Sequence, residues 1–176
     1  MKRRTAIITA IVAFIVPFLL LGTYALSSLS HTPVREAKTT PQSKYDVGPP
    51  DASELLELVN AERAKYGVAP LVMDEVIAEV AQTKADDMVK NNYSSHIMPE
   101  YGTILSPQMQ QITHTRCTSS SENIRDNDEY INTSREAFDA WVNSAPHHKA
   151  MVRADYTSTG FGINSDRVVQ HFCTVR

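Results

Sequence analysis

Apolar residues recur at three- and four-residue spacing in three stretches of the chain, which predicts three amphipathic helices. The first helix begins after Asp51, which forms a capping pair with Glu54, and it ends at Gly67. The second begins after Asp74, and the third follows the capping residues 133–134. Their apolar positions are Leu55, Leu56, Leu58, Val59 and Ala61 in the first, Val76, Ile77, Val80, Ala81, Ala85, Met88 and Val89 in the second, and Ala137, Phe138, Trp141 and Val142 in the third. A shorter helix is indicated by Leu105, Met109 and Ile112.

The end of the chain has the alternation of a β-hairpin, with strands at 159–163 and 168–175 joined by a turn at 164–166. Residues 122–124 predict a short strand that places Glu122 and Ile124 on one face. The run of Thr and Ser at 118–121 predicts a loop. Helices combined with a hairpin indicate a mixed α+β domain.

The N-terminus carries a basic cluster, Met1-Lys2-Arg3-Arg4, followed by an apolar run over residues 6–26. Such a segment is either an export signal or a membrane anchor, and its length favours an uncleaved single-pass anchor over residues 1–27. A buried core helix is excluded because the run has no polar face. Residues 28–50, which are rich in Ser, Thr and Pro, predict a linker, and residues 51–176 predict the folded domain. Under the positive-inside rule, everything after the apolar run lies outside the cytoplasm.

The balance of charged residues changes at the boundary between the linker and the predicted domain. Residues 1–50 hold six Lys/Arg and two Asp/Glu, whereas residues 51–176 hold eleven and eighteen, so the predicted domain has a net charge of −7. An acidic domain is a poor binder of nucleic acid, which has the same sign of charge. A nucleic-acid partner is therefore not expected.

Two cysteines, Cys117 and Cys173, both lie in the part predicted to be exported. An oxidising compartment and an even count favour a disulfide between them. A pair of free buried thiols is the alternative, and a catalytic role for Cys117 is disfavoured because no local nucleophile motif surrounds it.

Candidate chemistry is concentrated in His96, Glu122 and His147, which are placed by the pattern on loops and strand ends. Imidazole and carboxylate side chains together can hold a metal, move a proton or line a polar pocket. His171 is predicted to be a packed or hydrogen-bonded strand residue outside this group, and His148 is predicted to point away from it.

Several motifs in this order resemble the CAP superfamily of cysteine-rich secretory, antigen 5 and pathogenesis-related-1 proteins, whose domain is also called SCP. The motifs are the helix at 56–66, Pro70-Leu71 with Asp74, Ser95-His96 with Pro99 and Gly102, Glu122-Asn123-Ile124, Trp141 through His147, and Gly160-Phe161-Gly162. The resemblance covers residues 51–176 and implies a three-layer α-β-α sandwich with a cleft that contains two histidines and one or two acidic residues. His96, Glu122 and His147 correspond to those cleft residues.

The chain departs from the family pattern at three places. Ser121 stands where the glycine before Glu122 is usual, and Ser144 stands where many animal members carry a second acidic residue. The segment 145–148, Ala-Pro-His-His, replaces the bacterial Pro-Gly-His-Arg. A complete four-residue cleft is therefore in question.

The resemblance implies two classes of function. Eukaryotic relatives include sterol and fatty-acid binders, so one expectation is an extracytoplasmic module that binds a lipid or another small ligand, anchored to the membrane through the N-terminus. The alternative is a metal-dependent peptidase or esterase with zinc bound by His96, His147 and Glu122. A third interpretation makes these residues scaffold that fixes loops. No Gly-x-Ser-x-Gly or His-Glu-x-x-His motif is present, so the sequence favours a binding module over an enzyme.

Overall fold

The computed structural model describes residues 43–125 and 133–176. They form a short 3₁₀ helix and five α-helices together with four β-strands. In chain order these are the 3₁₀ helix Lys44–Asp46, α1 Ala52–Lys65, β1 Val72–Met73, α2 Glu75–Lys90, α3 Pro107–Arg116, β2 Cys117–Arg125, α4 Ser134–Val142, α5 Ala145–Met151, β3 Ser158–Asn164 and β4 Arg167–Val175. The mixed α+β class expected from the sequence is confirmed.

The predicted N-terminal anchor or signal at residues 1–27 lies outside the described residues, as does most of the predicted linker. Among the helices of residues 43–125 and 133–176, none combines the length and the apolar character needed to cross a membrane.

Side-chain caps set the starts of the three predicted helices. Asp51 accepts hydrogen bonds from the amides at the start of α1, and Asp74 does the same for α2. Thr133 caps α4 by accepting from the amide of Glu136. Each cap satisfies amides that have no partner within the helix, so the polar signals in the sequence correspond to physical helix starts.

One sheet holds the four strands in the order β1-β3-β4-β2. Strands β3 and β4 form the predicted hairpin, β2 pairs antiparallel with β4, and β1 pairs parallel with β3. Helices α1, α4 and α5 pack on one face, where Trp141 and Phe138 meet Phe161 and Phe172. Helix α2 packs on the other face, against Val169 of β4 and Ile124 of β2.

Two glycines of β3 allow α2 to lie directly on the sheet. A Cβ atom added at Gly160 would overlap the backbone of Ala78, and one added at Gly162 would overlap the backbone of Ala81. Contact between helix and strand backbones therefore requires glycine at both positions. This gives a physical reason for the Gly-Phe-Gly motif.

Arg63 of α1 is fully buried and is held by backbone carbonyls. Its guanidinium donates to the carbonyl oxygens of Ala69, Met151, Arg153 and Tyr156, at 2.6 to 3.1 Å. Four N–H donors are satisfied in this way, which offsets much of the desolvation that burial of the charge requires. Arg63 thus links α1 to the end of α5 and to the segment before β3.

Cys117 and Cys173 form a disulfide, which confirms the pairing predicted from the sequence. The bond joins the first residue of β2 to β4 and is packed against Ile77 of α2. Both cysteines are buried, so the catalytic alternative for Cys117 is wrong.

Three local predictions differ from the structure. The predicted loop at 118–121 is part of β2. His147 lies within α5 rather than on a loop. The 3₁₀ helix lies inside the predicted linker, and its Tyr45 contacts the domain by donating to Glu57 of α1 at 2.7 Å and by stacking under Arg135 of α4. The folded part therefore begins before residue 51.

Candidate functional site

The candidate site is centred on Glu122, which lies on the edge strand β2. The side chain of Glu122 is only 3% exposed. One carboxylate oxygen is 2.7 Å from Nδ1 of His96, and the other is 2.9 Å from Nε2 of His171. Because an ionised carboxylate can only accept hydrogen bonds, both imidazole nitrogens act as donors. Both oxygens of Glu122 are therefore occupied by imidazole N–H groups.

Glu122 is held in its charged form. Burial raises the pKa of its carboxyl group, but the hydrogen bonds from His171 and His96, together with the electrostatic effects of His171 and Lys84, outweigh burial and lower the pKa to about 2. A carboxylic acid with so low a pKa has no proton to give near neutral pH and is a weak base. The carboxylate therefore anchors the two histidines rather than transferring protons.

The two histidines that contact Glu122 differ in access to solvent. His171 lies on β4 directly opposite Glu122 in the β2–β4 register, and its side chain is 4% exposed. His96 lies in the loop after α2, and its side chain is 44% exposed. The hydrogen-bonded row thus runs from the buried strand His171 through Glu122 to His96 at the surface.

His147 joins this group from α5. Its ring centre is 6.2 Å from that of His96, with the two rings inclined at 60°. The side-chain amide of Asn123 donates to the backbone carbonyl of His147 at 3.1 Å, which ties α5 to β2. The structure thus brings together the three residues predicted from the sequence and adds His171; these four residues are called the cluster below.

The sequence predicts His171 to be a packed or hydrogen-bonded strand residue outside the cluster. Its place on β4 and its hydrogen bond are confirmed, but the bond is to Glu122 and makes His171 part of the cluster. The signal that identifies His171 is the β2–β4 register, because residues directly opposite each other share a face of the sheet. His148 points away as predicted, since its Nε2 bonds instead to the carboxylate of Glu62 on α1 at 2.9 Å.

A groove with a volume of about 380 Å³ opens beside the cluster. Its apolar lining consists of Ile97, Ile104 and Leu105, which are called the apolar wall below. Its polar lining consists of Thr103, Gln110, His114, Ser120, Ser121, Glu122 and His171. The hydroxyl oxygen of Ser121 is buried and has no hydrogen-bond partner among the described residues. A second cavity of about 570 Å³ lies beside β1 and contains no member of the cluster. The groove is therefore the cavity that bears on the candidate chemistry.

The zinc site predicted at His96, His147 and Glu122 is not preformed in the described residues, where the cluster is hydrogen-bonded. Zinc–ligand bonds of 2.0–2.1 Å in tetrahedral geometry separate donor atoms by about 3.3 Å. The contacts of Glu122 with His96 and His171, at 2.7 and 2.9 Å, are instead hydrogen-bond distances. Within the part of the chain that the structure describes, no group of three His, Cys, Asp or Glu side chains is arranged to hold a metal ion.

The chain is similar to several proteins known from bacteria. It is 36% identical over 119 residues to YlbC of Bacillus subtilis, called an uncharacterized membrane protein, and this match covers 68% of the chain and 33% of YlbC. It matches the crystal structure of an extracellular protein containing a SCP domain from Bacillus anthracis at 27% identity with a TM-score of 0.62, covering 69% of this chain and 39% of that one. An outer surface protein of Borrelia burgdorferi has the same fold, at 20% identity and a TM-score of 0.59, covering 70% of this chain and 92% of that one.

The match covers about a third of the length of YlbC, so the similarity concerns only part of that relative. The family model described as the cysteine-rich secretory protein family, CAP, matches residues 56–175, which contain all four members of the cluster and both cysteines. This match covers most of the chain and agrees with the motifs and the fold. The chain therefore belongs to the CAP family of cysteine-rich secretory proteins.

Proposed function

We propose that this chain is an extracytoplasmic module, anchored to the membrane by its N-terminus, that binds a lipid or another small amphipathic ligand in the groove beside the cluster. The observation that carries the proposal is the composition of the groove. The apolar side chains of Ile97, Ile104 and Leu105 line the groove together with polar residues, among them Ser120, Glu122 and His171. Ligand sites commonly combine apolar lining with a few converging polar groups.

Several observations support a location outside the cytoplasm. The N-terminal basic cluster and the apolar run at 6–26 have the pattern of an anchor or export signal. The disulfide requires an oxidising compartment. One relative is named a membrane protein, and the two structural neighbours are named extracellular and outer surface proteins.

Binding is favoured over hydrolysis by the state of Glu122. Glu122, the one carboxylate of the cluster, is hydrogen-bonded through both oxygens and has its pKa lowered to about 2, so it is not itself suited to act as a general base. The two hydrogen bonds of Glu122 are well suited to holding His96 and His171 in fixed positions beside a binding groove. A hydrolase at this site would therefore have to use one of the histidines as its base.

Native mass spectrometry of the full chain released from detergent tests the proposal. We expect an adduct of lipid-sized mass on the wild type and its loss from Ile104→Asp, because this change places a charge in the apolar wall. Ile104 is 47% exposed, so the substitution leaves the core intact. Val47→Asp is the matched control, since Val47 is 62% exposed and does not line the groove.

The two variants separate the groove from other binding places. An adduct lost from Ile104→Asp and kept by Val47→Asp supports the groove. An adduct kept equally by both variants is bound elsewhere, for example along the apolar N-terminus, and contradicts the proposal. Absence of any adduct from the wild type, in the presence of added membrane lipid extract, contradicts it as well.

A further inference from the structure

Lys84 is a buried cation on the apolar face of α2. It lies one helical turn after Val80 and one turn before Met88, and all three side chains are buried, Lys84 completely. Burial of an ammonium group is costly unless its donors are satisfied. A lysine at a core position of an otherwise apolar stripe therefore requires an explanation that packing does not supply.

The ammonium group of Lys84 binds two backbone carbonyls that are close in space but separated along the chain. Nζ donates to the carbonyl of His96 at 2.7 Å and to that of Ile104 at 3.3 Å. It also lies 5.2 Å from the ring centre of Tyr93, whose hydroxyl donates to Asp87 at 2.6 Å. Burial lowers the pKa of Lys84, and the charges of Glu122 and Asp87 oppose this effect.

The two carbonyls mark the ends of a small folded loop, residues 96–105, which is called the lobe below. Inside the lobe, Met98 pairs with Thr103 through an isolated β-bridge in which the amide of Met98 donates to the carbonyl of Thr103 at 2.7 Å. Met98 is buried against Val80, whereas Ile97 and Ile104 are exposed. The lobe carries His96 at its start and all three residues of the apolar wall, with Ile97 next to His96 and Ile104 and Leu105 at its other end.

We propose that Lys84 is a positioning residue. By joining the two ends of the lobe it holds His96 against Glu122 and keeps the apolar wall in place along the groove. The part of this inference that concerns ligand binding rests on the proposed function; the part that concerns the lobe does not. A methionine would fill the same volume but could not donate to either carbonyl. The two ends of the lobe would then be joined only through the lobe's own contacts.

Hydrogen–deuterium exchange of the full chain in detergent tests the role of Lys84, with Lys84→Met compared with the wild type. Lys90→Met is the matched control, because Lys90 is an exposed lysine in the last turn of the same helix. We expect exchange in the lobe to be at least tenfold faster in Lys84→Met, since hydrogen bonds to charged donors each contribute about a factor of ten or more. Exchange in β3 and β4 should be unchanged in both variants.

A second measurement reports on His96 directly. The Nδ1–H group that His96 donates to Glu122 should give a downfield proton resonance, and so should the Nε2–H of His171. We expect Lys84→Met to lose the His96 resonance and to keep that of His171, which is held by the sheet. A general loss of packing would remove both resonances.

Each outcome decides between the proposals. Equal lobe exchange in wild type and Lys84→Met refutes the positioning role, and so does loss of protection in β3 and β4 along with the lobe. Should Lys84→Met fail to fold, exchange in the lobe relative to exchange in β3 and β4 is measured in Lys84→Gln, which keeps a polar donor.

If exchange in the lobe is faster in Lys84→Met but the wild type shows no lipid adduct, the lobe inference stands and the groove proposal fails. If Lys84→Met retains the adduct in full, the groove binds the ligand but Lys84 does not position the apolar wall for that binding.

Discussion

Replacement of Glu122 by glutamine should remove a specific part of the pH dependence of stability. The native pKa of Glu122 is lowered from 4.5 to about 2, so the folded state keeps the carboxylate charged where the unfolded chain binds a proton. At about 1.4 kcal/mol per pKa unit, this stabilises the fold by about 3 kcal/mol. Because the folded pKa is lowered, the contribution is complete above about pH 4.5 and is lost as the pH falls towards 2.

The free energy of unfolding can be measured by urea titration with tryptophan fluorescence. Trp141 is the only tryptophan in the chain and is fully buried, so its emission reports unfolding of the domain and not of the N-terminal segment. The difference in unfolding free energy between wild type and Glu122→Gln should fall by about 3 kcal/mol between pH 5 and pH 2. Glutamine cannot ionise, so the variant lacks this contribution at every pH.

Glu79→Gln is the control, because Glu79 is an exposed carboxylate on α2. Its difference from the wild type should change little over the same range of pH. If the difference for Glu122→Gln is also independent of pH between 5 and 2, the carboxylate is not held in its charged form and the account of the cluster is wrong.

Other variants test the frame around the site. Substitution of both Cys117 and Cys173 by alanine should lower the free energy of unfolding by about 4 kcal/mol on the loop-entropy relation, given their separation of 56 residues; a loss below about 1 kcal/mol in urea titration would contradict this. Arg63→Met leaves four carbonyls without their donor, two of them in buried hydrogen bonds, and should cost at least about 3 kcal/mol by calorimetry, whereas a near-neutral result would show that water replaces the guanidinium. Gly162→Ala should lower the melting temperature by roughly 5 °C because the new methyl group overlaps α2, and an unchanged value would show that the helix can move away.

The helices that could be predicted are those whose signals are local. Asp51, Asp74 and Thr133 each cap the helix that the apolar spacing predicts. The last hairpin was equally visible, because alternation and a polar turn are properties of neighbouring residues. These features need no knowledge of the rest of the fold.

The elements that could not be predicted depend on distant partners. The run of Thr and Ser at 118–121 lies in the edge strand β2, where Ser120 and Ser121 line the groove, and it lacks the apolar alternation of a strand. Helix α5 is short and begins with Ala145-Pro146, and proline is tolerated in the first turn although it usually indicates a break.

The same difference between local signals and distant contacts applies to the candidate site. The residue types of His96, Glu122 and His147 were informative, but their contacts were not available from the sequence. His171 joins them through strand register. Lys84 could have been noticed as a charged residue at a core position of an apolar stripe, although its partners are carbonyls, which no sequence pattern reveals.

The contact of α2 with Gly160 and Gly162 has a consequence for how a ligand could enter. Side-chain layers allow helices to slide by small rotamer changes, but at Gly160 and Gly162 the helix backbone rests on the strand backbone with no side chain between them. Helix α2 therefore has no room to move towards the sheet at these two positions. A ligand that enters by displacing the lobe would have to break the two hydrogen bonds of Lys84 and the packing of Met98 against Val80.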